Sequence, residues 1–231
     1  MARQQQSRGK CNFCRETFSK RGINRHLDTC EKRKATFREG EQSFFHLHIF
    51  GTYNPFYWLN IELPADATLQ NLDQFLRNIW LECCGHLSAF RINGVNYFVT
   101  AAGEMGGRSM KYELNRVLSP GMEFTHEYDF GTTTDLTLRV VGERTGTLTG
   151  KRKSDHIHIL ARNNWPEIPC DKCKERPARH ICVYCVYEGG GYLCDQCAAE
   201  HECGEEALLP VVNSPRAGEC GYTGPSNPSY L

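Results

Sequence analysis

No apolar run in this sequence approaches the roughly 20 residues that a bilayer-spanning helix requires. A membrane partner is therefore not expected. The opening residues, Met-Ala-Arg-Gln-Gln-Gln-Ser-Arg, carry charge without an apolar stretch behind them, so no secretory signal is expected there. A phosphate-cradling glycine loop with a lysine is missing, which argues against nucleotide hydrolysis of that type. Gly189-Gly190-Gly191 lies between cysteine pairs and reads as a turn. Solenoid-type repeats are absent. Net charge is absent too: 27 Lys and Arg balance 27 Asp and Glu.

That balance hides an uneven spread. Residues 1–40 hold eleven basic residues, among them Lys20, Arg21, Arg25, Lys32, Arg33 and Lys34, against the acids Glu16, Asp28, Glu31 and Glu39. Such an arm can attract phosphate backbones or acidic protein surfaces, or simply keep the chain solvated.

Cysteine is what the chain has in excess, thirteen in 231 residues. Near the N-terminus stands Cys11-x2-Cys14-x11-His26-x3-Cys30. Near the C-terminus stand the pairs Cys170/Cys173, Cys182/Cys185 and Cys194/Cys197, then His201, Cys203 and Cys220. Two donors separated by two residues ride one tight knuckle, and tetrahedral zinc needs four sulfur or nitrogen donors. Four such pairs point to structural zinc, about three ions per chain at four donors each. Thiolates held by metal imply a reducing compartment, and a cytoplasmic location is expected. Cys83 and Cys84, adjacent at a helix end, read as buried small hydrophobes rather than ligands.

Three segments follow. Residues 1–40 form the basic arm with its zinc finger, the first ten as a polar tail and residues 31–40 as a charged linker. Residues 41–165 form a core, and residues 166–231 a double-zinc unit with a tail. In the core, Phe45, Leu47 and Ile49 alternate with His46 and His48 in a strand period, and residues 56–63 make a second strand after a turn. Leu69, Leu72, Phe75, Leu76, Ile79 and Trp80 make one apolar helix face. Residues 89–92 and 96–99 flank the turn signal Asn93-Gly94. Residues 101–110 read as a loop, and residues 124–128, 136–141 and 156–160 as further strands. The expected fold class is α+β. A mostly antiparallel sheet with one main helix is flanked by an N-terminal ββα zinc finger and a C-terminal cross-brace zinc domain.

Enzymatic readings of the core are weak. His46, His48, His156 and His158 could form a four-imidazole site, but solvent-facing histidines opposite an apolar face are the ordinary case. Asp129 with His126 and Glu127 could do acid–base work in a cleft, yet an aspartate ahead of Gly131 more often hydrogen-bonds its own turn. A hydrolase or transferase is the least supported function, and no catalytic residues are assigned.

The finger helix, Ile23-Asn24-Arg25-His26-Leu27-Asp28-Thr29-Cys30, resembles that of the ubiquitin-binding zinc fingers of DNA-damage-tolerance ubiquitin ligases. Every position of that family's Ile-Asn-x-His-Leu-Asp-x-Cys pattern is filled here. The resemblance covers about twenty residues. It implies a partner of ubiquitin type or another protein, gripped by Asp28, with Asn24 and Arg25 on the same helix. A DNA-reading finger would use Arg25, Gly22 and Ser19, counted back from His26. Only Arg25 is a good reader, so base-specific reading is not expected. Non-specific phosphate contact through the basic arm stays open, as does a finger that merely caps the next domain.

The C-terminal pairs, with two eight-residue spacers, resemble a B-box or related cross-brace. The resemblance implies one site from Cys170, Cys173, Cys194 and Cys197. It implies another from Cys182 and Cys185 with two of His201, Cys203 and Cys220, leaving His180 as a bystander. The core resembles the Ri-plasmid open-reading-frame-three-like family, also met as an insertion-element passenger. The match rests on Glu127-Tyr128-Asp129-Phe130-Gly131, Leu63-Pro64-Ala65-Asp66-Ala67-Thr68-Leu69 and Cys220-Gly221-Tyr222-Thr223-Gly224. The acid, tryptophan and histidine that usually follow in that family are replaced by Thr132-Thr133-Thr134-Asp135-Leu136. A recognition or adaptor protein is the leading expectation, and a nucleic-acid-associated mobile-element protein the alternative.

Overall fold

The computed structural model describes residues 7–99, 106–147 and 157–225. The chain divides into two compact units. One comprises Met1–Phe75 and Leu87–Asn164, the other Leu76–His86 and Trp165–Leu231.

In the first unit the chain runs through β1 (Arg8–Cys11), β2 (Thr17–Ser19), α1 (Lys20–Thr29), α2 (Glu31–Lys34), β3 (Gln42–Gly51), β4 (Trp58–Pro64) and α3 (Leu69–Leu76). It then makes β5 (Ser88–Ile92), β6 (Val95–Phe98), β7 (Arg108–Ser109), β8 (Glu123–Tyr128), β9 (Thr134–Gly146) and β10 (His158–Asn163). These ten strands form one sheet in the order β2-β1-β10-β4-β3-β9-β8-β5-β6-β7. All pairings are antiparallel except β6 with β7. The fold is α+β with a large, mostly antiparallel sheet.

Local chemistry accounts for the elements. Asn93 (φ 49°) and Gly94 (φ 78°) both sit in the left-handed region, as a two-residue hairpin turn between right-twisted strands requires. At the start of α3, the Thr68 N–H donates to Asn71 Oδ1 and the Asn71 N–H to Thr68 Oγ1, a reciprocal cap. Leu69, Leu72 and Leu76 are fully buried. On the same face, His126 Nε2 donates to Asp73 Oδ1 at 2.7 Å and so joins β8 to α3.

The finger is not a separate module. Its β1 pairs with β10 and extends the sheet, Gly9 lying opposite Asn163. A side chain at Gly9 would meet the Trp58 ring at 2.6 Å, so glycine permits this approach. Residues 8–10 are thus strand rather than polar tail. The expected linker is also docked: Arg33 of α2 is 5% exposed and donates to Leu27 O and Glu62 Oε2, both at 2.9 Å. Its position over the sheet reverses another expectation. His46 and His48 do not face solvent but are each 5% exposed, because α1 and α2 cover their face.

Strand β9 runs further than residues 136–141, its residues 136–146 pairing with β3 across a bulge at His46/Leu47. Part of the expected 101–110 loop is described, and it contains β7. His156 lies outside the described residues.

The second unit holds a five-residue π-helical turn, Arg77–Leu81, which directly continues α3. It also holds a three-stranded sheet with β11 (His180–Cys182) between β12 (Tyr192–Leu193) and β13 (Leu208–Pro210), and the short helix α4 (Asp195–Ala199). Among the described residues, no helix is long and apolar enough to cross a membrane.

Candidate metal centres

Cys11 ends β1, Cys14 sits in the following turn, His26 lies in the last turn of α1 and Cys30 caps its end. The knuckle closes when the Arg15 N–H donates to Cys11 O at 2.9 Å, with Arg15 at φ 68°. Ser19 caps the helix by accepting from the Gly22 N–H. Phe18 stacks on the His26 imidazole at 3.8 Å between centroids, which orients the ring. Cys11 and Cys30 sulfurs are 4.0 Å apart, and Cys14 Sγ is 3.3 Å from His26 Nε2. Tetrahedral zinc, with bonds of about 2.3 Å to sulfur and about 2.0 Å to nitrogen, places sulfurs about 3.8 Å apart and sulfur about 3.5 Å from nitrogen. The donors fit such an ion. Burial pushes the Cys11 thiol up, against the backbone N–H groups of Cys14 and Phe13.

In the second unit the pairs interleave. Cys170, Cys173, Cys194 and Cys197 gather in one group, and Cys182, Cys185, His201 and Cys203 in another. First pair with third, and second pair with the following donors, is a cross-brace. Lys174 repeats the geometry of Arg15, with φ 60° and its N–H donating to Cys170 O at 2.9 Å. Cys173 and Cys194 sulfurs are 3.9 Å apart, while Cys185 Sγ is 3.7 Å from Cys203 Sγ and 3.5 Å from His201 Nε2. His180 stays out, hydrogen-bonding Asp195 at 2.9 Å.

The sulfurs fall into two electrostatic kinds. Burial would raise the Cys170 and Cys182 thiols, but knuckle N–H groups, Cys173 and Cys194 on the first and Cys185 on the second, outweigh it and bring both down to about 6. Cys185 is pushed up to about 12 by Cys182 and Cys203, and Cys197 to about 12 by burial and then by Cys194 and Cys170. Crowded thiols cannot all ionise together unless a cation relieves them. A divalent metal would supply that cation.

None of the thirteen cysteines forms a disulfide. Each belongs to one of four groups of four donors, with His26, His201 and His86 completing three of them, and the ligating atoms of each group lie within 4.8 Å of one another. These groups could hold metal ions. Cys220 does not join Cys182 and Cys185; it sits with Cys83, Cys84 and His86. The expectation of buried hydrophobes at Cys83 and Cys84 fails, since the first is half-buried and the second exposed. Sequence reasoning missed a visible signal, because Cys83-Cys84-Gly85-His86 packs three donors around a glycine.

Of the residues expected to meet a partner, Arg25 and Asp28 are exposed on α1. Asn24 is half-buried, its Oδ1 covered and without a hydrogen-bond partner among the described residues. The core polar groups have structural partners. His46 Nε2 donates to Asn60 Oδ1 at 2.7 Å, and His158 is exposed, so neither joins a donor group. Asp129 (φ 65°) accepts from the Gly131 N–H at 3.0 Å, an aspartate turn. None of these contacts points to catalysis.

No family model matches the chain, and no curated protein does. Among solved structures, a protein of unknown function from Methanosarcina mazei Go1 is similar at 18% identity and a TM-score of 0.41, over 53% of this chain and 68% of that one.

Proposed function

We propose that this is a zinc-binding recognition protein that engages a protein partner, ubiquitin-like or other, through the outer face of α1. The observation that carries the zinc reading is the sorting of every cysteine into a four-donor group, which chance would not produce. Zinc is the metal that suits tetrahedral sets of thiolate and imidazole. Recognition is supported by the mounting of α1. Ile23 and Leu27 are buried beneath it, while Arg21, Arg25, Asp28 and Thr29 face solvent. A carboxylate on a helix so anchored meets a partner's N–H groups with little ordering cost.

The test titrates ubiquitin into the isotope-labelled full chain and counts zinc by elemental analysis. Binding shifts are expected on α1, and Asp28→Ala should abolish them with zinc content unchanged. Shifts that survive Asp28→Ala, or that arise elsewhere, would remove this mode.

The alternative, a nucleic-acid-associated mobile-element protein, draws on the exposed Lys10, Arg15, Arg21, Arg25 and Lys32. Two cations of the arm are engaged internally. Lys20 lies 3.6 Å over the Phe50 ring, and Arg33 pairs with Glu62. Binding by this route should weaken steeply with salt; salt-insensitive binding would contradict it.

A further inference from the structure

The geometry points to a fourth zinc site in the second unit, formed by Cys83, Cys84, His86 and Cys220, that clasps the turn after the π-helix to the loop carrying Cys220. The donors repeat the three-thiol, one-imidazole set of the finger and of the Cys182 group. Cys84 Sγ lies 3.6 Å from Cys83 Sγ, 3.8 Å from Cys220 Sγ and 2.9 Å from His86 Nε2, and His86 Nε2 lies 3.2 Å from Cys220 Sγ. The sulfur separations match edges of a tetrahedron around zinc, about 3.8 Å, and are far from the roughly 2.05 Å of a disulfide. The nitrogen lies a few tenths of an ångström inside its ideal, which a bound ion would open.

Adjacent cysteines serve one metal only if the backbone curls. In an extended chain their side chains point to opposite sides. Here the π-helix ends at Leu81 with Glu82 as its cap, and Gly85 (φ 78°) turns the chain back. The curl is fixed from outside the donor set. Arg77 donates to His86 O at 2.6 Å and pairs with Glu82 at 2.8 Å, and Glu82 Oε1 accepts from the Gly85 N–H at 2.6 Å. Cys220 (φ 44°) sits between Gly218 (φ 88°) and Gly221 (φ 69°) in a knuckle of its own.

Buried hydrogen bonds hold the segments in register: Trp80 Nε1 donates to Asn213 O, Ser214 Oγ to Trp80 O and the Tyr222 hydroxyl to Ile79 O. Arg216, fully buried, donates from Nη2 to Cys83 Sγ at 3.5 Å. Three thiolates and a neutral imidazole leave a zinc complex one negative charge, and a buried guanidinium beside a ligating sulfur is the outer-shell cation such a complex favours. Cys84 and Cys220 are exposed, whereas each other group has at least one fully or nearly fully buried sulfur. This ion should therefore exchange first.

Elemental analysis of the full chain should give four zinc ions, against three for Cys84→Ser and for Cys220→Ser. Both positions are exposed, so neither change opens a core cavity. Three in wild type and three in both variants would overturn the fourth site while leaving the other centres intact. None or one in wild type would instead overturn the zinc reading as a whole. Maleimide footprinting of unmodified protein settles the matter should a variant fold poorly. Cys83, Cys84 and Cys220 should resist labelling when zinc-loaded despite their exposure, and should label first as a chelator releases one ion. Labelling of all three with no zinc released, or a Cys83–Cys84 disulfide in zinc-loaded protein, would sink the assignment.

Discussion

The finger and the cross-brace gather similar sets of cysteine and histidine donors but stand on different foundations. Around the finger site, Ile23, Leu27, Cys11 and Cys30 share one buried cluster with Trp58, Leu160 and Ala161 of the sheet. Among the described residues, the clusters around the cross-brace donors are smaller. Of the five buried residues around its first group, Cys170, Cys194 and Cys197 are themselves donors, joined by Leu193 and Ala198. Another cluster in this unit holds Ala178, Ile181 and Val211 with a few half-buried neighbours. A metal at the first site would add to an existing core; a metal at the other would stand in place of one. Small domains lack the apolar area to fold alone and need such staples.

Metal removal should expose that difference most strongly. Structural zinc in small modules is worth about 10–16 kcal/mol at neutral pH. With chelator, hydrogen exchange should become fast across residues 170–203, while β3, β4 and β9 keep their protection. Uniform loss in both units would erase the contrast.

Trp58→Ala attacks the finger from the sheet side. Trp58 is fully buried, donates from Nε1 to Ser7 Oγ at 2.9 Å, and packs beside Gly9. Truncation should cost about 3–5 kcal/mol in urea unfolding and should loosen zinc at Cys11, Cys14, His26 and Cys30. A cost below about 1 kcal/mol would mean that the finger stands alone after all.

A buried ionic triad makes the next contrast. Glu62 accepts from Arg33 at 2.9 Å and from Arg144 Nε at 2.8 Å. Burial alone would raise its carboxyl, but the two guanidiniums outweigh burial and hold it below the usual range. Glu62→Gln leaves both cations without their charge partner and should cost about 3 kcal/mol, read by the same unfolding.

How much of this was legible in the sequence depended on how local the signal is. The strand alternation of β3, the Asn93-Gly94 turn and the Cys-x2-Cys knuckles are local and could be read directly. Gly9 looked like part of a tail because nothing near it announces that Trp58, 49 residues on, will cover it. His46 and His48 looked solvent-facing because the alternation shows only that their face is polar, not that α1 and α2 lie over it. Arg33 looked like linker charge because its partner Glu62 is distant in sequence. The group of Cys83, Cys84, His86 and Cys220 escapes because its fourth donor lies 136 residues from Cys84, and adjacent cysteines at a helix end read as small buried hydrophobes.

The smallest predicted effect tests whether the finger truly covers the sheet. Burial, followed by the charges of Lys20 and His46, lowers His48 from 6.5 to about 3; burial likewise lowers His46. Both are therefore neutral in the folded state. A histidine with a lowered folded pKa favours folding above its unfolded value, and that contribution is lost as pH falls, here from 6.5 toward 3. Between pH 7 and pH 5, His48 should weaken the first unit by about 2 kcal/mol. Acid also strips zinc, so the informative quantity is a difference: wild type should lose about 2 kcal/mol more than His48→Gln over that interval. Equal losses would show that His48 takes up its proton without penalty, which is possible only if the finger does not cover it.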